Sequence, residues 1–267
     1  IMINNNLLEK YLPDNCNVEW VEMSSASDIR DALASGSIDI ATPALTSYIS
    51  AYENNMPIDL ISNYGSAQVY CYAVNGIDRI DNFDIDDSIA VKGLNTNPHI
   101  AFLAYCKENA LDIDKYNKML TKIPETETLA LLETSDQISG AILSYPVNKK
   151  ADEIKNCKMI ADFSDTIKEY NLGTVVCVNK SFNESNKDIV EGFEKAHKYI
   201  VDSWQTDLDF YASILSKQYS CSKEEIKSVM IDMPPTLEIT GYDKLANLMY
   251  EAKMLNAKPT PFNDVSK

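Results

Sequence analysis

Residues 24–63, SSASDIRDALASGSIDIATPALTSYISAYENNMPIDLISN, switch twice between a helical apolar period and a short strand-like apolar run. Ile29 and Leu33 share one helical face, and Gly36 stands where a left-handed helix stop is favoured. A short strand is predicted over 38–41. Thr42 and Pro43 then read as N-cap and first helical residue of a second helix, with Leu45, Tyr48, Ile49 and Tyr52 on its apolar side. Asn54, Asn55 and Pro57 stop that helix, and 58–61 is a second apolar run. Helix, strand, helix, strand is the order produced by parallel strands joined through crossover helices, which predicts an α/β fold.

In such a sheet the loops at the carboxyl ends of strands run into helix N-termini, whose N–H groups lack intrahelical partners. Thr42, Pro43 and Ala44 form one predicted loop, and residues 62–66, carrying Tyr64, Gly65 and Ser66, form another. The same grammar returns further on. A strand over 89–91 leads through Asn95 and Thr96 to Asn97, a predicted N-cap, with Pro98 as first helical residue and an apolar helix over 100–108. Asn95, Thr96, Asn97 and His99 have the composition of a polar-group cradle; equally, Asn95 and Asn97 serve as plain cap and turn residues. The run SGAILSY over 139–145 ends at Pro146, as earlier strands end near Pro43 and Pro98, and puts Ser144 and Tyr145 at a third tip.

Further strands are predicted over 18–23, 68–74, 119–123, 159–161 and 174–178. Helices are predicted over 7–11, 126–133, 185–204, 206–219 and 242–255, and Ser222 with Glu225 forms a capping box for a helix reaching Met230.

The segments DALASGSIDIATPA and SYISAYENNMPIDLIS resemble the first domain of solute-binding proteins from ABC importers of the nitrate, sulfonate, taurine and thiamine-precursor group. The closing run GYDKLANLMYEAKMLNAKPTPF fits the same pattern, so the resemblance spans nearly the whole chain. It implies a two-lobed, type II periplasmic-binding-protein-like fold, each lobe a mostly parallel sheet flanked by helices, with two hinge crossings near Val74 and Val178. Lobe 1 would comprise 1–74 and 179–267, including the C-terminal helices, and lobe 2 would comprise 75–178. It also implies a leader, a first strand and a ligand-facing loop ahead of Ile1. The implied function is capture of a small organic solute, sulfonate-like or pyrimidine-type, in a cleft between lobes, by a monomer that delivers it to an ABC permease. That role would be extracytoplasmic, lipid-anchored at the outer face of the membrane or periplasmic, without a cofactor. Many relatives carry an acidic residue where this chain has Tyr145. The same fold hosts enzymes, including pyrimidine synthases and small dehydratases, and this remains the alternative; the cysteine-rich run of the synthases is absent.

Other classes are disfavoured by composition and motif content. With 24 Lys and Arg against 40 Asp and Glu, the net charge of −16 opposes nonspecific nucleic-acid binding. No apolar run approaches the roughly 18 residues of a membrane span. The six cysteines show no CxxC pair and no zinc spacing, and Cys71 and Cys177 lie in apolar runs suited to buried thiols. No HExxH, GxxxxGK, GxSxG or GxGxxG motif occurs. His197, among Glu194, Lys195 and Lys198, is expected on a solvated helix face. Of the 15 tyrosines, Tyr70 and Tyr72 are expected in the core, while Tyr64 beside Gly65 is the candidate stacking face.

Overall fold

Among the described residues eight strands order the chain: β1 (Ile40–Ala41), β2 (Ile58–Ser66), β3 (Val69–Ala73), β4 (Ile89–Val91), β5 (Leu120–Lys122), β6 (Gly140–Ser144), β7 (Lys158–Asp162) and β8 (Gly173–Asn179). They are seen in a computed structural model that describes residues 1–3, 6–23, 26–66, 68–219 and 221–265. The chain divides into two compact units. Unit 1 holds 1–65 and 174–239; unit 2 holds 66–173 and 240–265.

Unit 1 carries a three-stranded sheet in the order β1-β8-β2, with β1 antiparallel to β8 through Ile40 opposite Val178 and Ala41 opposite Cys177. The helix Leu45–Glu53 buries Leu45, Tyr48 and Ile49 of the face that apolar spacing selects, together with Thr46 and Ala51, while Tyr52 stays half-buried. The helix Lys187–Ser203 buries Val190, Phe193, Ala196, His197 and Ile200 at spacings of three and four. The helix Lys223–Asp232 starts with the Ser222 and Glu225 capping box, both reciprocal bonds being formed. Gly36, at φ +75°, follows a helix ending at Ser35. The strand expected over 18–23 does not form: these residues carry no ladder, and Trp20 and Val21 are exposed. Apolar alternation marks a segment suited to a sheet, but a strand exists only where a neighbour takes up its backbone groups.

Unit 2 carries five strands in the order β5-β4-β6-β3-β7. β4 runs parallel to β5 and β6, whereas β3 runs antiparallel to β6 and β7. The sheet is therefore mixed, where a mostly parallel one was expected; apolar period reports that a segment is a strand and is blind to its direction. β3 is buried at every position, so Tyr70 and Tyr72 do pack in the core. They sit with Ala90, Leu132, Ile138 and Leu143.

The division into units falls between Gly65 and Ser66, Gly173 and Thr174, and Ile239 and Thr240, rather than near Val74 and Val178. β3 thus belongs with its ladder partners in unit 2, and β8 with β1 in unit 1. The helix Tyr242–Glu251 belongs to unit 2, although the C-terminal helices were all expected on lobe 1. Its anchor is Lys244, which pairs with Glu108 at 2.9 Å and with Glu169, and lies 4.4 Å from the Tyr170 ring centroid. Tyr170 in turn donates to Glu108 at 2.6 Å. Those charges are partly exposed and contribute modestly. Backbone fit at Gly241 matters more: it adopts φ +66°, and a Cβ there would come within 2.5 Å of the Glu169 carbonyl oxygen. Gly241→Ala should therefore destabilise the protein by about 2 kcal/mol, combining left-handed strain with overpacking. A urea melt should show the lowered midpoint, and an unchanged midpoint would mean that this helix is not held through Gly241.

Candidate functional site

In unit 1 the loop after β1 is organised by the start of β8. Val175 N–H donates to the Pro43 carbonyl at 2.9 Å, Ala44 bridges antiparallel to Thr174, and the Thr174 hydroxyl donates to the Gly65 carbonyl at 3.2 Å. Thr42 is exposed, Pro43 buried and Ala44 half-buried. Thr42, Pro43 and Ala44 thus meet Gly65 and its neighbour Tyr64 through Thr174, a residue that apolar patterning passes over as the head of a strand. The helix begins later than expected. Ala44 is its N-cap and makes no side-chain cap bond, so Thr42 and Pro43 lie ahead of the helix as loop residues.

Tyr64, Gly65 and Ser66 are the last residues of β2, which runs on to Ser66 where a loop was expected. Gly65 has φ +148°, a backbone state that disfavours side chains. Tyr64 keeps 39% of its surface exposed, and its ring centroid lies 5.3 Å from that of His197. Burial and then the neighbouring Tyr219 push the Tyr64 hydroxyl above its ordinary range. His197 is not the solvated residue expected from its charged neighbours: it retains only 2% exposure. Its neighbours in sequence point elsewhere on the helix, while the ring itself falls in register with Phe193, Ala196 and Ile200. Its Nδ1 lies 3.2 Å from the buried Ser62 hydroxyl, and burial lowers its pKa to about 4.

In unit 2, strand direction gathers the remaining candidates. β4 and β6 are parallel, so the loops following Val91 and Ser144 leave the same end of the sheet; β3 opposes β6 and therefore starts at that end. Asn95, Thr96, Asn97, His99, Ser144, Tyr145, Ser66 and Gln68 are brought there together. Thr96, not Asn97, is the N-cap of the helix Asn97–Glu108, and its side chain makes no cap bond; its hydroxyl donates instead to the Gly93 carbonyl at 2.7 Å. Asn95 adopts φ +60°, a state asparagine tolerates, and its N–H donates to His99 Nδ1 at 2.8 Å. With Nδ1 accepting, Nε2 carries the proton and donates to Asn117 Oδ1 at 2.8 Å. Burial lowers the His99 pKa, partly opposed by Asn117. Both ring nitrogens are consumed, so His99 shapes the loop. Asn97 Nδ2 donates to the Gly173 carbonyl at 3.3 Å, while its buried Oδ1 has no hydrogen-bond partner among the described residues.

Ser144 is buried opposite Val69 in the ladder, and Tyr145 N–H donates to the Gln68 carbonyl at 3.0 Å. Pro146 does not open a helix directly; a turn intervenes before the short helix Asn148–Ala151. Gln68 was missed, since one polar residue at the head of an apolar run looks like a boundary. It is buried, and its Oε1 accepts from the Tyr70 hydroxyl at 2.7 Å, which orients the amide. Cys71, Cys106 and Cys177 are buried free thiols, Cys106 being pushed up to about 12 by burial. Among the described residues no group of three or more His, Cys, Asp or Glu is placed to hold a metal ion, and no helix is long and apolar enough to cross a membrane.

Comparison of the whole chain with solved structures decides the architecture. It superposes on the periplasmic aliphatic sulphonate-binding protein of Escherichia coli with a TM-score of 0.76 at 16% identity, covering 97% of this chain and 84% of that one. The chain has the periplasmic-binding-protein fold. The alkanesulfonate-binding protein of Xanthomonas axonopodis pv. citri, bound to MOPS, matches at a TM-score of 0.74 and 12% identity, with 97% and 90% covered. A Candida albicans protein described as exhibiting the generic periplasmic-binding-protein fold matches at 0.73 and 13%, with 96% and 85% covered. No family model and no curated protein sequence matches the chain.

A buried neutral histidine sets a pH dependence whose sign is fixed. His197 titrates near 4 in the folded protein and near 6.5 unfolded, so the unfolded chain binds the extra proton between those values. Stability is complete above about pH 6.5 and falls as pH drops towards 4. His197→Gln keeps a polar partner for Ser62 and should reduce that acid loss by about 2 kcal/mol, read from denaturant midpoints at pH 7 and pH 4.5. Parallel curves for the two proteins would show that His197 is not buried in neutral form.

Proposed function

We propose that this protein is the extracytoplasmic solute-binding component of an ABC importer, a chain that binds a small organic solute and releases it to a membrane permease. One observation carries the reading beyond fold. Each unit presents a helix of ordinary length whose N-terminus has no side-chain cap, Leu45–Glu53 behind Ala44 and Asn97–Glu108 behind Thr96, and both follow candidate loops. Uncapped N–H groups and the positive end of the helix dipole suit a solute's oxygen atoms. Thr42, Pro43, Ala44, Tyr64 and Gly65 in unit 1, and Ser66, Asn95, Thr96, Asn97, Ser144 and Tyr145 in unit 2, are the proposed contacts, with Tyr64 as stacking face. His99 acts through the Asn95 loop. The neighbours described as sulfonate-binding proteins support a sulfonate-like anion; the exposed Tyr64 ring supports a heteroaromatic solute such as a thiamine precursor.

The reading is tested by thermal-shift screening against taurine, alkyl sulfonates, nitrate and hydroxymethylpyrimidine, with mass analysis of each solute afterwards. A raised Tm with solute returned unchanged is expected; chemical conversion would move the protein to the enzymes that share this fold. Asn95→Asp then separates the solute classes. Asp tolerates the same backbone state, and a carboxylate near this helix N-terminus leaves the free protein's Tm within about 2 °C. An anionic solute should bind about tenfold more weakly to the variant. A neutral ring should bind as before.

A further inference from the structure

Unit 1 contains a cavity of about 290 Å³ lined by Leu7, Lys10, Tyr199, Asp207, Phe210 and Tyr211. None of these belongs to the loops described above. Three of the six are aromatic, and two of those, Tyr199 and Phe210, keep 44% and 49% of their surface exposed. The rings are held from behind. Tyr11 backs Tyr199 at a centroid separation of 6.3 Å, Trp204 backs Tyr211 at 5.6 Å, and Tyr211 is pinned through its hydroxyl to Ser203 at 2.6 Å. Phe210 packs beside Tyr211 at 5.7 Å. Rings exposed on the surface yet fixed in place present rigid π faces at low entropic cost.

Two opposite charges complete the lining. Among the described residues, neither Lys10 nor Asp207 has an ion-pair partner within 4.0 Å, although shorter pairs such as Lys198 with Asp202 form on the adjoining helix. An apolar guest would desolvate both charges without compensation. A simple cation would meet Lys10, and a simple anion would meet Asp207. A guest carrying both signs satisfies the lining, and aromatic faces favour the positive end when that charge is spread over methyl groups.

We propose that this cavity binds a small zwitterion with a quaternary ammonium head and a carboxylate. The head sits against Tyr199 and Phe210 beside Asp207, and the carboxylate faces Lys10. The site is independent of the solute-binding loops.

The test uses the full chain and isothermal titration calorimetry with three probes: trimethylglycine; 3,3-dimethylbutanoate, which has the same shape without the positive charge; and tetramethylammonium, which lacks the carboxylate. Saturable trimethylglycine binding is expected, with each of the other probes at least about tenfold weaker. Tyr199→Leu and Lys10→Met alter exposed positions and Asp207→Asn a half-buried one, and each should weaken trimethylglycine at least about fivefold while the Tm stays put. Absence of saturable binding overturns the proposal, as does equal binding of 3,3-dimethylbutanoate, which would show that the cavity does not recognise the positive head. Trimethylglycine binding lost in Asn95→Asp but kept in Tyr199→Leu would assign it to the loops of the proposed solute site, and the proposal would fall.

Discussion

The direction of β3 against β6 is the constraint from which the unit 2 site follows. A parallel β4–β6 pair sends two loops off the same end of the sheet, and an antiparallel β3 brings its own beginning to that end. Three stretches far apart in sequence, around Ser66, Asn95 and Ser144, are thereby brought to one end of the sheet. Reversing β3 would carry Ser66 and Gln68 to the opposite end. β3 is fully buried along its length, so apolar packing on both faces holds this arrangement in place.

Rigidity of the loop tips comes from residues that do not need to touch a solute. His99 spends one nitrogen on the Asn95 backbone and the other on Asn117. Thr174 ties Gly65, and Tyr70 orients Gln68. His197 lies behind Tyr64 as that tyrosine keeps an open surface. Each is a buried or half-buried polar group satisfied by a partner, so each contributes order where an unpaired group would cost about 1–3 kcal/mol. The tips are therefore shaped by the fold itself, and a solute bound there would lose less entropy than at loops ordered only on binding.

Element identity was legible where period and punctuation agreed. Gly36 marked a helix stop, Ser222 with Glu225 marked a capped start, and spacing picked out Leu45, Tyr48 and Ile49 as buried on Leu45–Glu53. Legibility failed where the deciding partner was remote in sequence. Strand direction in unit 2, the missing ladder over 18–23, and the placement of Tyr242–Glu251 on unit 2 all depend on pairings that local pattern does not contain. His197 shows the reverse error: flanking charges suggested a wet face, but helical geometry places residues three and four away, not adjacent ones, beside it. Thr174 and Gln68 were invisible for a related reason. Each looks like a strand boundary until its hydrogen bond to another segment is known.

The absence of Lys and Arg from the proposed solute contacts shapes how an anion would be received. The chain's charge of −16 repels anions at long range, yet at physiological ionic strength that repulsion is screened beyond about 8 Å. Inside that distance the local donors decide. Helix N-terminal N–H groups, hydroxyls and amides offer partial positive charge without a mobile cation, and they are fixed by the fold. Neutral donors of this kind attract an oxyanion less strongly than a buried ammonium or guanidinium would, and they bring no large desolvation penalty of their own. A site that both captures and releases an oxyanion is better served by such dipoles than by a full ion pair, whose rupture in a low-dielectric setting would be slow.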